Sequence, residues 1–342
     1  MWVNAERMER AGEMMRIVRF MPMKEDRDRN PLWKRVGRLV ALFPVQVLYS
    51  LFGYVFMFLR SLLTRRRSYR YEVSICAIFQ NEGRFLREWV EYHRIIGVDH
   101  LYLYNNNSSD DYKAVLAPYV ESGFVTLTDW PERFAQLKMY EDCWRRHRDE
   151  SHWIGFIDLD EFVNLQKDDD IKDFLRRYRR YPGVYLSWRE FGTSGRMEEG
   201  DGLVTEKYIS CWPCLQFAGK TFINNDYRRF FITVHCFHAY CGRIPMFPVT
   251  DSKTFAYRTE IFFPYFPRHP KAWINHYWSK SYEWFKYKTF GRDDVASAAL
   301  LEGRKKSGIF ESHEVRNTTK DHSIQRFLIQ LKRGMEESNS TS

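Results

Sequence analysis

The sequence predicts an α/β fold with a mixed, mostly parallel sheet flanked by helices. Short β-branched apolar runs alternate with amphipathic stretches between residues 72 and 157. Polar turn clusters fall at the ends of those apolar runs, where loops belong. Charged residues at 28% and hydrophobic residues at 44% are globular values that exclude bulk disorder.

The elements follow in order. Glu72 to Phe79 (EVSICAIF) reads as a buried strand, broken by Asn81, Glu82 and Gly83. In the next stretch Leu86, Trp89, Val90 and His93 take i, i+3, i+4, i+7 positions, one face of a helix. His100 to Tyr104 is a second strand, and Asn105 to Asp110 (NNNSSD) supplies a turn and a helix cap. Residues 111–120 form a short helix, Phe124 to Leu127 a third strand, and residues 132–148 a longer helix. His152 to Ile157 is a fourth strand, and Asp158 follows at once. This β-α-β-α-β-α-β order belongs to a parallel sheet with helices on both faces. Ligands of such sheets bind beyond the carboxyl ends of the strands. The loops at Asn81–Glu82, Asn105–Asp110 and Asp158–Glu161 are therefore expected to meet in one crevice. No GxGxxG follows the first strand and no GxxxxGK[ST] occurs, which disfavours a dinucleotide site or a P-loop.

The net charge of +9 comes largely from the first 38 residues and from Arg65, Arg66, Arg67 and Arg70. It fits an anionic membrane surface or anionic substrate better than a nucleic-acid groove. Leu39 to Leu59 carries no charge. At ~1.5 Å per residue it is just long enough to cross a hydrocarbon core of ~30 Å, or to lie in its face. It lacks the position and cleavage site of a signal peptide. Five segments result: a basic one at 1–38, a transmembrane or interfacial helix at 39–63, a basic linker at 64–71, a catalytic domain at 72–322, and an amphipathic helix with a polar tail at 323–342. Residues 336–342 are expected to be disordered. Cys211 and Cys214 form a lone CxxC without the second pair of a zinc ribbon, so the six cysteines read as mostly buried thiols.

Asp158 and Asp160 stand one residue apart at the end of an apolar strand, with Glu161 beside them. Oxygen ligands of this kind suit Mg²⁺ or Mn²⁺, and such an ion neutralises charge growing on a departing diphosphate.

The ordered string SICAIFQNEGRFLREWVEYHRIIGVDHLYLYNNNSSDD, TLTDWP, QLKMYEDC, WIGFIDLDEFV, SWREFGTSG and INHYWSKS, with Lys288 beyond, resembles glycosyltransferase family 92 and its bacterial family-2-like relatives from about residue 72 to 292. The resemblance implies a GT-A, Rossmann-like nucleotide-sugar fold and an inverting, metal-dependent transfer from a nucleotide-diphosphate sugar, with a UDP-sugar favoured. It assigns Asn81, Glu82 and Asn106 to the donor nucleotide, with Asn105 where the family often has aspartate. Gln136 and Asp142 fall behind the donor sugar. Asp158 and Asp160 match the metal motif, and Asp158 also counts as donor-binding. His276 matches a third metal contact. Trp188, Phe191, Gly192 and Lys280 are expected at the acceptor, and Lys280 or Lys288 could instead meet a phosphate. The base that deprotonates the acceptor hydroxyl is one of Glu190, Asp226 and Glu161.

The expected partners are a nucleotide sugar, a glycan or glycolipid acceptor and a membrane surface, without nucleic acid. The short basic stem favours a catalytic domain held on the cytoplasmic side of a bacterial inner membrane; a Golgi type II topology is the alternative. The rival functions are a non-catalytic carbohydrate-binding or scaffold protein and a nucleotidyltransferase. Retention of both aspartates and of His276 argues against the first, and the absence of a glycine-rich basic first loop against the second.

Overall fold

The computed structural model describes residues 67–340 apart from 217, 229, 233–236, 242–243, 254, 257–269, 293–301, 304 and 306–307, together with 44, 47–48, 51–60 and 62. The expected basic segment 1–38 and much of the hydrophobic segment and linker lie outside the described residues.

Four strands alternate with three helices at the start: β1 (Tyr71–Phe79), α1 (Gly83–Ile95), β2 (His100–Asn105), α2 (Tyr112–Glu121), β3 (Val125–Asp129), α3 (Gln136–His147) and β4 (Ser151–Phe156). There follow β5 (Glu161–Leu165), α4 (Ile171–Arg176), β6 (Gly183–Glu190), α5 (Val204–Lys207), β7 (Ser210–Cys211) and β8 (Gly219–Asn224). Next come β9 (Phe230–Ile232), β10 (Phe237–Cys241), β11 (Ile244–Met246), β12 (Val249–Thr250) and β13 (Ala272–His276). The chain closes with α6 (Tyr282–Lys286), a π-turn (Tyr287–Gly291), α7 (Ile309–Glu314), β14 (Thr319–Lys320), a 3-10 turn (Ser323–Phe327) and α8 (Leu328–Ser340).

The main sheet has nine strands in the order β3-β2-β1-β4-β8-β6-β13-β5, with β12 beside β6. β1 to β4 pair in parallel, while β8 runs antiparallel between β4 and β6. β13 is parallel to β6 and antiparallel to β5. The two-residue period of β1 sends Val73, Ile75, Ala77 and Phe79 to the face covered by α1 and α2. Cys76 and Ile78 point to the other face, against Met139, Tyr140 and Cys143 of α3. Each large apolar side chain sealed this way contributes ~1.5–3 kcal/mol.

Two of these contacts matter for the site. The indole N–H of Trp89 donates to the carbonyl of Glu161 at 2.8 Å, and the Tyr92 hydroxyl to that of Val163 at 2.7 Å. The aromatic bodies of α1 fill the core while their polar tips hold β5 in place. β8 enters the sheet closely: a side chain at Gly219 would lie 2.0 Å from the carbonyl oxygen of Leu186, so only glycine fits.

Residues 51–60 are helical and rest on the domain. Met57 is buried, Tyr54 meets the Phe255 ring at 4.8 Å, and Arg60 donates to the Asp226 carbonyl at 2.9 Å over the ring of Tyr227. Leu51, Phe52, Val55, Phe58 and Leu59 remain exposed. No described helix is long and apolar enough to cross a membrane. At the far end α8 continues to Ser340, so residues 336–340, expected to be disordered, extend the helix instead. Cys76, Cys143 and Cys211 are buried thiols.

Candidate active site

Three neighbouring strands set the site. β6, β13 and β5 lie side by side, and their register aligns Glu190 with His276 and His276 with Glu161. β5 begins directly after the loop leaving β4, so Asp158 and Asp160 stand at the head of this row. The Tyr277 amide donates to the Asp160 carbonyl at 2.8 Å and clamps the loop to the exit of β13.

Each carboxylate has its own surroundings. Asp158 accepts from Gln136 Nε2 at 2.7 Å, the Tyr140 hydroxyl at 3.1 Å and Lys220 Nζ at 2.8 Å. Burial opposes its charge, but the Lys220 ammonium together with the hydrogen bonds from Lys220 and Tyr140 holds the carboxyl below its usual range. Asp160 pairs through Oδ2 with Lys288, and its Oδ1 lies 3.8 Å from His276 Nε2. Burial again opposes charge, and Lys288, His276 and Lys280 together pull Asp160 far below a normal carboxyl.

Glu161 behaves oppositely. It is wholly buried, and burial pushes its carboxyl well up, with the charges of Asp158 and Asp160 adding to the effect. Its Oε2 accepts from the Asp158 amide at 2.9 Å, while Oε1 is buried without a hydrogen bond.

Glu190 faces two imidazoles. Its Oε2 lies 2.9 Å from His276 Nδ1, off the line of a good hydrogen bond, and 3.5 Å from His313 Nε2. Burial opposes its charge, yet the two rings lower it to about 2. Trp188 stacks on His276 at 4.4 Å, and Trp278 and Trp212 flank His313 at 4.6 and 5.0 Å.

Asp160, Glu161 and His276 each bring one ligand atom within 4.8 Å of the others. Ligands held ~2.0–2.3 Å from a shared cation lie up to about 4.5 Å apart, so this donor set fits a divalent ion. The unbonded Oε1 of Glu161 is the kind of orphan such an ion would satisfy, and it would ionise that carboxyl on binding. Glu190 behind His276 is a carboxylate placed to orient a ligating imidazole.

The remaining sequence candidates divide between site and scaffold. Asn81 adopts a left-handed φ of 52°, and its Oδ1 accepts from the Ser109 amide at 2.7 Å, tying the first loop to the second. Asn106 spends its amide on the carbonyls of Trp130 and Glu132. Glu82 meets Arg292 at 3.4 Å. Gln136 reaches Asp158, but Asp142, farther along the same helix, is tied to Tyr104 and Arg146 instead.

Phe191 is buried against Tyr277, and a side chain at Gly192 would strike Asn317 and Glu314, so both are packing positions. Asp226 is not brought to this cluster. Its carboxylate binds Tyr69 and faces His152 where β4 begins, the opposite end of that strand from Asp158. Lys280 lies on the Asp160 side: burial lowers its ammonium, opposed by the charges of Asp160, Glu82 and Glu199.

Sequence reasoning missed Lys220, Tyr140, Arg292 and His313. Lys220 left a signal, as the one charge in the buried strand GKTFIN. His313 left none.

The sequence model of glycosyltransferase family 92 matches residues 69–259, more than half of the chain. The chain belongs to glycosyltransferase family 92. A glycosyltransferase family 92 protein of Oryza sativa subsp. japonica is 35% identical over 148 residues, covering 42% of this chain and 25% of that one. A galactan beta-1,4-galactosyltransferase of Arabidopsis thaliana is 30% identical over 137 residues, covering 37% and 26%. The chain thus matches about a quarter of the length of these curated relatives. Among solved structures, Staphylococcus aureus TarS 1-349 in complex with UDP-GlcNAc is 11% identical with a TM-score of 0.31, covering 45% of each chain. The mannosyltransferase PcManGT of Pyrobaculum calidifontis, in complex with GDP-Man and Mn²⁺, is 14% identical with a TM-score of 0.28, covering 45% and 46%. Likeness at that level fixes neither fold nor ligand.

Proposed function

We propose that this protein is an inverting glycosyltransferase of GT-A type. It moves a sugar from a nucleotide diphosphate, UDP favoured, to a glycan or glycolipid acceptor with a divalent cation, Mn²⁺ or Mg²⁺. One observation carries the reading: the row Glu190–His276–Glu161 stands beside Asp158 and Asp160 where β4, β6 and β13 end and β5 begins, in a chain of family 92. The galactan galactosyltransferase among its relatives makes a UDP-hexose the first donor to try.

In the step itself, the acceptor oxygen bonds to the anomeric carbon as the bond from that carbon to the β-phosphate oxygen breaks. The bonding pair leaves on the diphosphate, and the hydroxyl proton passes to a carboxylate. A divalent cation held by Asp160, Glu161 and His276 would supply charge neutralisation at the leaving diphosphate. Gln136, Tyr140 and Lys220 fix Asp158 beside that position. Of the three carboxylates considered as base, Asp226 lies away from the cluster, and Glu161 is sealed from solvent and faces the cation position. Glu190 remains: it is at the site, two imidazoles favour its charged form, and it faces His276. Trp188, stacked on His276, offers a flat face for an acceptor sugar. The exposed apolar side of helix 51–60 supports a membrane surface as the domain's resting place.

The test is nucleotide release from a panel of UDP- and GDP-sugars with Mn²⁺, Mg²⁺ or chelator. Chelator-sensitive release from one donor supports the reading. A folded protein that neither releases nucleotide nor gains thermal stability from any donor refutes it in favour of a non-catalytic carbohydrate-binding role.

A further inference from the structure

Lys280 is the most anomalous charge among the described residues. It is 1% exposed, and among the described residues its Nζ has no hydrogen-bond partner. Its Nζ lies over two rings, with the Phe85 ring centroid at 4.4 Å and that of Trp284 at 5.5 Å. Its backbone takes a φ of 49°, in the left-handed region that lysine rarely adopts. A buried ammonium without a partner is costly, and rings compensate only part of that cost. Burial disfavours its charge, and the carboxylates of Asp160, Glu82 and Glu199 oppose that effect; Phe85, whose ring it faces, lies just beyond the first loop.

Lys288 is the second cation here. Its side chain is 9% exposed, and its Nζ pairs with Asp160 Oδ2, on the carboxylate whose other oxygen faces His276. Asp160 thus has a positive partner of its own. A divalent cation arriving alone would meet two ammoniums and displace one of them without giving it a new partner. A cation arriving with a diphosphate brings the missing partner for both lysines.

We propose that Lys280 and Lys288 form a diphosphate seat over Asp160, and that Lys288 is a resident counter-cation that passes from Asp160 to the diphosphate when a divalent cation takes its place. The inference rests on the nucleotide-sugar reading and deepens it: cation and diphosphate bind as a coupled pair, each raising the affinity for the other by the same factor. No covalent step is involved. The exchange is one of ion pairs.

The test uses the full chain, Mn²⁺ titrated alone by the loss of its free EPR signal, and UDP and GDP titrated calorimetrically at saturating Mn²⁺. Wild type is expected to hold Mn²⁺ weakly alone. Lys288→Met should bind Mn²⁺ alone about tenfold more tightly and UDP or GDP about tenfold or more weakly, the worth of a lost charged hydrogen bond. Lys280→Met should weaken the nucleotide by a similar factor with an unchanged or raised melting temperature, because its ammonium has no partner to lose. Lys288→Arg should retain nucleotide binding. If Lys288→Met does not fold, Lys280→Met decides the matter. Nucleotide binding that survives the methionine changes with wild-type affinity overturns the seat and leaves the glycosyltransferase reading intact. Wild-type protein that is folded yet binds neither UDP nor GDP overturns both. Lys280→Met melting well below wild type, with nucleotide affinity unchanged, assigns Lys280 to the fold and overturns its place in the seat.

Discussion

Replacing Lys220 with methionine removes the only cation that Asp158 touches among the described residues. Lys220 is 0% exposed, 2.8 Å from Asp158 and 3.8 Å from Glu161. In Lys220→Met, Asp158 keeps its neighbours Asp160 and Glu161 and loses the charge that offsets them. Deleting one partner of a buried pair costs about 3–5 kcal/mol. The Asp158 side chain is 30% exposed, so water recovers part of this and the loss should fall near about 3 kcal/mol. Urea denaturation near neutral pH, without divalent ions, should show the midpoint falling by roughly 1 M. The double variant Lys220→Met with Asp158→Asn leaves no unpaired charge and should recover most of the loss. A single-variant loss under about 1 kcal/mol, or a double variant no more stable than the single one, refutes the electrostatic account of this pair.

Three further outcomes follow from the same geometry. His93 is fully buried, and burial holds its ring down to about 3 against 6.5 in the open chain, so the unfolded state binds more protons between those values. Stability should fall as pH drops through that window, by at most ~1.4 kcal/mol per pH unit from this residue, and His93→Leu should flatten the slope in acid denaturation curves. Gly219→Ala should destabilise by about 1–3 kcal/mol or more through the clash with Leu186, as a lowered urea midpoint would report; a neutral result would mean that β8 is not seated so closely. Glu190→Gln should cut turnover about a hundredfold at saturating Mn²⁺, and turnover close to wild type would remove it from the proton path and from support of His276.

The first half of the domain was legible because each strand there is a short apolar run followed by its own amphipathic helix. Leu86, Trp89 and Val90 announce α1, and Cys76 and Ile78 alternate with Ile75 and Ala77 on β1. The loops at Asn81 and Asp158 could be placed for the same reason, since the end of a parallel strand is where a ligand meets an α/β sheet. Less could be read after Asp160. β8 and β13 owe their places to pairing partners far away in the chain, and no local pattern records which strand will lie beside which. The alignment of Glu190 with His276 and Glu161 is therefore a property of register. For the same reason Asp226 looked as eligible as Glu190, although it binds Tyr69 and faces His152 at the other end of β4. Asp142 shows the limit within one helix: it shares α3 with Gln136, but only Gln136, at the first position, reaches Asp158.

The most direct test of the metal-assisted site is nucleotide release by wild type and Asp160→Asn, side by side, with the preferred donor and Mn²⁺. Asparagine keeps the size of Asp160 and removes the charge that pairs with Lys288 and faces His276. The account predicts chelator-sensitive release in wild type and a loss of about a thousandfold in the variant, in a protein that still shows cooperative unfolding. Release by the folded variant at the wild-type rate, unaffected by chelator, would contradict it.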